Sequence, residues 1–361
     1  MGPLLSIATI ARNDNYMGNS NWRLEVAINF LAIELDKLNR LKDVELIIVD
    51  WGSEIPLSTA LTLNEHAQRI ARFILVTRSV IDAIKVDSDF PAIIALNAGI
   101  RRACGDFIIE GPADILFSER FFKRLFNILQ GESRIETPVD KSLFIFNRKD
   151  IPLEIVNQNL TQTALAGYIE EYDSSLLPTP LHPYYLCPAG ALMMHRNLWR
   201  ESHAFDERLI HWGWADIDMV LRMRLRYFIA DMSSDNEMYL YHLDHYTPGF
   251  VRTKMSYPTI NPFVVNNERW GLAEYILEEV PKKVDLDISG MSVDITDETC
   301  SDNKYFRARH FMDLIRFFLK NPNIENLKLV FSHSAIILFQ YPFMKKMFPL
   351  LKRIKRSPVQ P

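Results

Sequence analysis

The chain is short of cysteine, glycine-rich loops and long apolar runs, and each shortage excludes a class of protein. Its three cysteines, Cys104, Cys187 and Cys300, lie far apart and form no C-x-x-C pair. That excludes a zinc ribbon, argues against a disulfide framework and suits a reducing compartment. The 13 glycines include no G-x-G-x-x-G opening the first helix and no G-x-x-x-x-G-K-[ST], so neither a dinucleotide fingerprint nor a P-loop is present. No basic-then-apolar leader with a cleavage site is visible. The uncharged run Leu329–Met344 spans 16 residues and contains His333, Gln340 and Pro342. It falls short of the roughly 20 residues a spanning helix needs, so no transmembrane helix is expected. Charge of one sign is lacking too: a formal net charge of -4 over 361 residues points away from nucleic acid as a partner.

What remains is an ordinary globular composition, 48% hydrophobic and 24% charged, with length for one large domain plus an appendage, or for two domains. Met1 to Ser6 formally fits a myristoylation pattern, but Leu4–Ile10 reads better as a buried strand. Trp22–Leu41 follows as an amphipathic helix, and Val44–Val49 as a second strand. Arg72–Val76 reads as a third strand, Pro91–Ala103 as a helix and Asp106–Glu110 as a fourth strand. Strands rich in Ile and Val separated by helices predict βαβ units, a mostly parallel sheet covered on both faces. Ligands of such sheets sit at the carboxyl ends of the strands. There the chain carries Ala11-Arg12-Asn13-Asp14, Asp50-Trp51-Gly52-Ser53 and Gly111-Pro112-Ala113-Asp114, so three carboxylates are expected along one edge. The pattern becomes irregular from about residue 144 to 271, and Trp212–Phe228 reads as a loop running into a helix.

Four segments, in order, carry a family resemblance: Ile-Ala-Arg-Asn-Asp (10–14), Ile-Ile-Val-Asp-Trp-Gly-Ser (47–53), the run from Leu96 to Phe117, and the run from Phe205 to Asp218. Over residues 4 to 271 the chain resembles nucleotide-sugar glycosyltransferases of the GT-A fold, family 2 in type. That group includes many bacterial enzymes that build surface polysaccharides. The segment Trp212-Gly-Trp-Ala-Asp-Ile-Asp218 resembles the acceptor motif W-G-W-G-x-E-D-x-D of β-1,4-galactosyltransferases and chondroitin-polymerase-like enzymes, shortened and without its Glu. The resemblance implies an α/β, Rossmann-like GT-A domain over residues 1–275, its donor half to about 120 and its acceptor half from 121. A mainly helical extension, 276–361, is expected to follow.

Carried onto this sequence, the resemblance gives Asp50 to the nucleoside and Asp114 to the D-x-D position that meets ribose and a divalent metal. Pro112 replaces the first Asp of that motif. A literal D-x-D at Asp87-Ser88-Asp89 precedes the Asn97-Ala-Gly99 element and reads as a solvated loop. Ala11, Arg12, Asn13 and Asn97 complete the expected donor contacts. Trp212, Gly213 and Trp214 are the expected acceptor contacts, and Asp216 is the expected catalytic base. His242 matches the family's late histidine ligand and with Asp114 would hold Mn²⁺ or Mg²⁺. His245 competes for that role but reads better as a packed strand-end residue.

The chemistry needs these parts. In an inverting transfer the acceptor hydroxyl attacks in line with a departing diphosphate. A positioned carboxylate takes its proton, and positive charge receives the leaving group. Residues two apart on a helix point in different directions, so Asp216 and Asp218 do not both face the acceptor; Asp218 is expected to cap or orient the turn. The expected partners are a nucleotide sugar, UDP-linked as in the resembling families, and a glycan or lipid-linked glycan acceptor. Lys345, Lys346, Lys352, Arg353, Lys355 and Arg356, interleaved with apolar residues, suggest membrane contact over 345–356 or a solvated tail. A cytoplasmic location, peripheral on the inner membrane face, is expected. The altered D-x-D and shortened acceptor motif also fit a silent relative that binds or scaffolds a glycan. A nucleotidyltransferase would share the sheet but not Trp-Gly-Trp-x-Asp.

Overall fold

The structure, a computed structural model, describes residues 2–179, 190–224, 226–245 and 262–281. The basic tail at 345–356 and nearly all of the expected extension lie outside the described residues. The strands are β1 (Leu5–Ala11), β2 (Val44–Trp51), β3 (Ala71–Val76), β4 (Phe107–Glu110), β5 (Ile115–Leu116), β6 (Ser142–Phe146), β7 (Arg148–Ile151), β8 (Ala191–His195), β9 (Phe228–Asp231), β10 (Leu240–Leu243) and β11 (Glu278–Val280). The helices are α1 (Ser20–Lys37), α2 (Leu57–Ala60), α3 (Glu65–Ile70), α4 (Arg78–Ile84), α5 (Ala92–Arg102), α6 (Glu119–Leu129), α7 (Leu153–Val156), α8 (Gln162–Tyr172), α9 (Arg196–Glu201) and α10 (Ala215–Met223).

Eight strands form the main sheet in the order β11-β3-β2-β1-β4-β8-β6-β9. The run β3-β2-β1-β4 is parallel, as the Ile/Val-rich strands require. Strand β8 runs antiparallel between β4 and β6, and β11 antiparallel at the far edge. Residues 278–280, placed by sequence in the extension, thus belong to this sheet. Alternation along β2 explains why both faces are covered. Leu46 and Ile48 pack with α1 residues such as Leu24, Ile28 and Leu31 on one side. Ile47 and Val49 pack with α5 residues Ile94, Ala95 and Ala98 on the other. Burying each such side chain contributes about 1.5–3 kcal/mol. Gly99 sets the close approach of α5: a Cβ there would stand 2.9 Å from Val49 Cγ2.

The chain order reverses direction at β1, with β2 on one side and β4 on the other. Parallel α/β sheets open a crevice at such a switch point, outside the carboxyl ends of the strands. A second, three-stranded sheet, β5-β10-β7, begins in the turn after β4. Sequence reading did not anticipate it. Its strands are two to four residues long and pair over large sequence separations.

Candidate active site

The ends of β1 and β2 are stitched together. Ala11 sits opposite Asp50 in register, and the Asn13 N–H donates to Ser53 Oγ at 2.8 Å. Asn13 Nδ2 donates to the Ile55 carbonyl at 2.8 Å, and its Oδ1 accepts from Asn21 at 2.6 Å. Asp50 is buried. It accepts from the Ser53 hydroxyl and, at 2.7 Å, from the Leu57 N–H at the start of α2. Burial pushes its carboxyl up, against these hydrogen bonds. Asp50 therefore shapes the loop that Asn13 and Ser53 line. Arg12 turns aside, pairing with Asp14 at 2.7 Å and donating to the Asp89 carbonyl at 3.1 Å. It pins the loop of the literal D-x-D, whose Asp87 and Asp89 are exposed as a solvated loop requires.

Asn97 lies in the interior of the chain. It is fully buried and its amide is spent inside the chain. Nδ2 donates to the Phe205 carbonyl at 2.8 Å and to Glu207 at 3.2 Å, while Oδ1 accepts the Phe205 N–H at 3.1 Å. Through these bonds it holds the chain that approaches Trp-Gly-Trp.

After β4 the small sheet gathers ionisable groups. The Asp114 carbonyl accepts the Leu243 N–H at 3.0 Å, and register sets His242 opposite Ile115 on one neighbour and Asp150 on the other. Asp114 Oδ2 lies 3.1 Å from His245 Nε2, and Oδ1 lies 3.7 Å from His242 Nε2. One ligand atom from each of these three buried residues falls within 4.8 Å of the others. His245, read by sequence as a packed residue, belongs to the cluster; its i, i+3 spacing from His242 was the available signal. Arg23, from α1, brings Nε to 3.5 Å from Asp114 Oδ2 while donating to the carbonyls of Gly18 and Tyr16. Burial works to raise the Asp114 carboxyl, but the two imidazoles and Arg23 outweigh it and hold it below its usual range. The exposed Tyr16 ring lies 6.0 Å from that of His245, at the rim.

One carboxylate and two imidazoles fit a divalent cation that takes mixed O and N ligands. The tautomer fits as well, because His242 Nδ1 is engaged by Asp150 at 2.8 Å, turning Nε2 toward Asp114. Two imidazoles make the set less suited to Mg²⁺, which prefers oxygen. Asp114 is the one acid among these three residues.

The Trp-Gly-Trp segment is a left-handed turn, with φ of 96° at Gly213 and 69° at Trp214. A bulky residue held there is strained, a conformation that clusters at functional sites. It delivers Asp216 and Asp218 into the first turn of α10, where the helix dipole favours acids. Asp218 is buried and accepts from Arg222 Nε at 2.8 Å. Arg222 in turn donates to the carbonyls of Ser202, Ala204 and Phe263, so this pair orients the helix. Asp216 has a different environment. Burial raises its carboxyl from 3.8 to about 6. Glu110, at the end of β4 and four residues before Asp114, is raised by its own burial and then by the charge of Asp216. It accepts the Leu192 N–H at 3.1 Å. Sequence reading missed Glu110 because its role depends on a neighbour more than a hundred residues away. Trp212 is 53% exposed.

No family model matches the chain, and no curated protein does. Among solved structures it is similar to S. aureus TarS, at 13% identity and TM-score 0.44 over 66% of this chain and 36% of that one. It is similar to the TarS 1–349 fragment in complex with UDP, at 13% and 0.44 over 66% and 60%. It is also similar to a mutant of Drosophila β1,4-galactosyltransferase 7 in complex with manganese, UDP-Gal and xylobiose, at 10% and 0.33 over 63% of each chain. The chain spans less than two thirds of each of these proteins. Likeness at this distance assigns no activity.

Proposed function

We propose that the chain is a glycosyltransferase that moves a hexosyl or hexosaminyl group, with inversion, from a UDP-sugar to a hydroxyl of a glycan or lipid-linked glycan. Surface polysaccharide synthesis is the process this chemistry fits. What supports the reading is two unlike groups of side chains near the end of β4. One is the buried Asp114/His242/His245 cluster. The other is Asp216, a carboxylate raised to about 6, joined to the first through Glu110 on the same β4 turn.

In this reading Asp216 takes the proton of the attacking hydroxyl. With its carboxyl near 6 it is ionised at neutral pH and more basic than an ordinary aspartate, the compromise a general base requires. Glu110 beside it is itself raised, by burial and then by the charge of Asp216, so the two carboxyls oppose each other's ionisation. Trp212 offers an exposed ring to a sugar face, and the strained turn at Trp214 fixes ring and base relative to each other. Asn13 and Ser53 line the nucleoside end over Asp50. A divalent cation, Mn²⁺ by the donor set, would be held by Asp114, His242 and His245 and would neutralise the leaving diphosphate. Arg23 adds a fixed positive charge beside it. Calorimetric titration with UDP tests the donor half of this reading. UDP is expected to bind with Mn²⁺ and much more weakly in chelator, and absence of binding under both conditions would overturn it.

A further inference from the structure

Asp150 matches no motif, yet it is in direct contact with His242. Strands β7 and β10 run parallel with Asp150 opposite His242. Asp150 Oδ1 lies 2.8 Å from His242 Nδ1 and 3.1 Å from Arg148 Nε. Its Oδ2 accepts from Thr179 Oγ1 at 3.3 Å. The carboxylate is thus held from three directions, while the imidazole it touches is 2% exposed. A ring nitrogen that donates to a carboxylate carries the proton, so the other nitrogen keeps its lone pair. That other nitrogen, Nε2, stands 3.7 Å from Asp114 Oδ1. The separation is too long for a hydrogen bond. Two donors held by one ion through bonds of ~2.0–2.2 Å stand roughly 3–3.6 Å apart, so a movement of a few tenths of an ångström brings these two to one ion.

We propose that Asp150 is a positioning residue for the cation site, fixing the tautomer and ring plane of His242 so that Nε2 joins Asp114 and His245 as a ligand. This rests on the reading of those three residues as a cation site. Charge balance supports the assignment. Arg148 faces Asp150 as Arg23 faces Asp114, so the second carboxylate orients the site without adding net negative charge. A bound dication then keeps its attraction for a diphosphate.

The test is Mn²⁺ binding to the full chain, read from the electron paramagnetic resonance signal of free Mn²⁺, for wild type, Asp150→Ala, Asp150→Asn and Thr179→Ala. Loss of such an outer partner typically weakens metal binding about 10–100-fold, and Asp150→Ala is expected in that range. Asp150→Asn keeps an oxygen acceptor without the charge and is expected to fall between it and wild type. Thr179→Ala, which leaves the His242 contact in place, is expected to stay within about twofold. A role confined to holding β7 would lower the melting temperature and leave the Mn²⁺ dissociation constant of the folded variants unchanged. That result would overturn the proposal while the cation site stands. If Asp150→Ala does not fold, Asp150→Asn decides by the same criterion. A wild-type chain that binds no Mn²⁺ would overturn the cation site itself, and the role of Asp150 with it.

Discussion

Replacing Asp216 with Asn is expected to abolish turnover while making the protein more stable, and the two effects share one cause. Burial raises the Asp216 carboxyl from 3.8 to about 6. Above pH 6 the group is ionised in both folded and unfolded chains, and folding carries the full cost of burying that charge. Between about 4 and 6 the folded chain holds a proton that the unfolded chain has lost, so this cost diminishes as pH falls and is gone below about 4. The shift amounts to roughly two units at ~1.36 kcal/mol each, on the order of 2–3 kcal/mol. A neutral, nearly isosteric amide removes it, and relief of the Glu110 carboxyl acts in the same direction. At about 2–4 °C per kcal/mol for a domain of this size, the melting temperature of Asp216→Asn should rise by roughly 4–12 °C at pH 7.5. The difference should shrink to nothing near pH 4. Turnover should fall by about 10²–10⁴-fold, the usual contribution of a general base. Paired thermal melts at several pH values, with turnover measured at pH 7.5, supply the data. A variant destabilised at pH 7.5, or one whose advantage persists at pH 4, would refute the reasoning from a buried charge. Full turnover would refute the base.

Other perturbations separate scaffold from site. Wild-type kcat should fall about tenfold per pH unit below about 6, read from initial rates of UDP release, because Asp216 must be ionised to act. Asp218→Ala leaves Arg222, itself buried, without its carboxylate and should lower unfolding free energy by about 3–5 kcal/mol in urea titration. Trp212→Ala should change stability by no more than about 0.5 kcal/mol. It should raise acceptor KM by roughly 2- to 12-fold, the equivalent of an aromatic contact worth ~0.5–1.5 kcal/mol. Gly271→Ala puts a Cβ 2.6 Å from the Asn97 carbonyl at a φ of +65°, and should cost about 1–3 kcal/mol in the same urea assay.

The legible parts of this protein were those written in local pattern. Strands β1 to β4 announce themselves because each is a short Ile/Val-rich run buried on both faces, and the helices between them lack Gly and Pro at interior positions except Gly99. The polar strand ends could be placed along the carboxyl edge of the parallel strands before any contact was known. What could not be read depends on pairing across the chain. Asp150 matters because β7 meets β10, 92 residues further on, and Glu110 because the start of α10 comes beside the end of β4. Arg23 looks like any cation on an amphipathic helix until α1 is seen packed against the turn that carries Asp114. The partners of Asn97 were equally hidden: a fully buried amide must satisfy its polar groups inside the chain, and Phe205 and Glu207, more than a hundred residues on, supply them. No helix among the described residues is long and apolar enough to cross a membrane.

The central claim is that this crevice transfers a sugar, with Asp216 as base. Phosphorus NMR of the full chain incubated with a panel of UDP-sugars, Mn²⁺ and candidate glycan acceptors tests it most directly. The account predicts conversion of a UDP-sugar to UDP by wild type, almost none by Asp216→Asn, and retained UDP binding by that variant. A wild-type chain that binds UDP yet consumes no UDP-sugar with any acceptor, or equal conversion by Asp216→Asn, would contradict it.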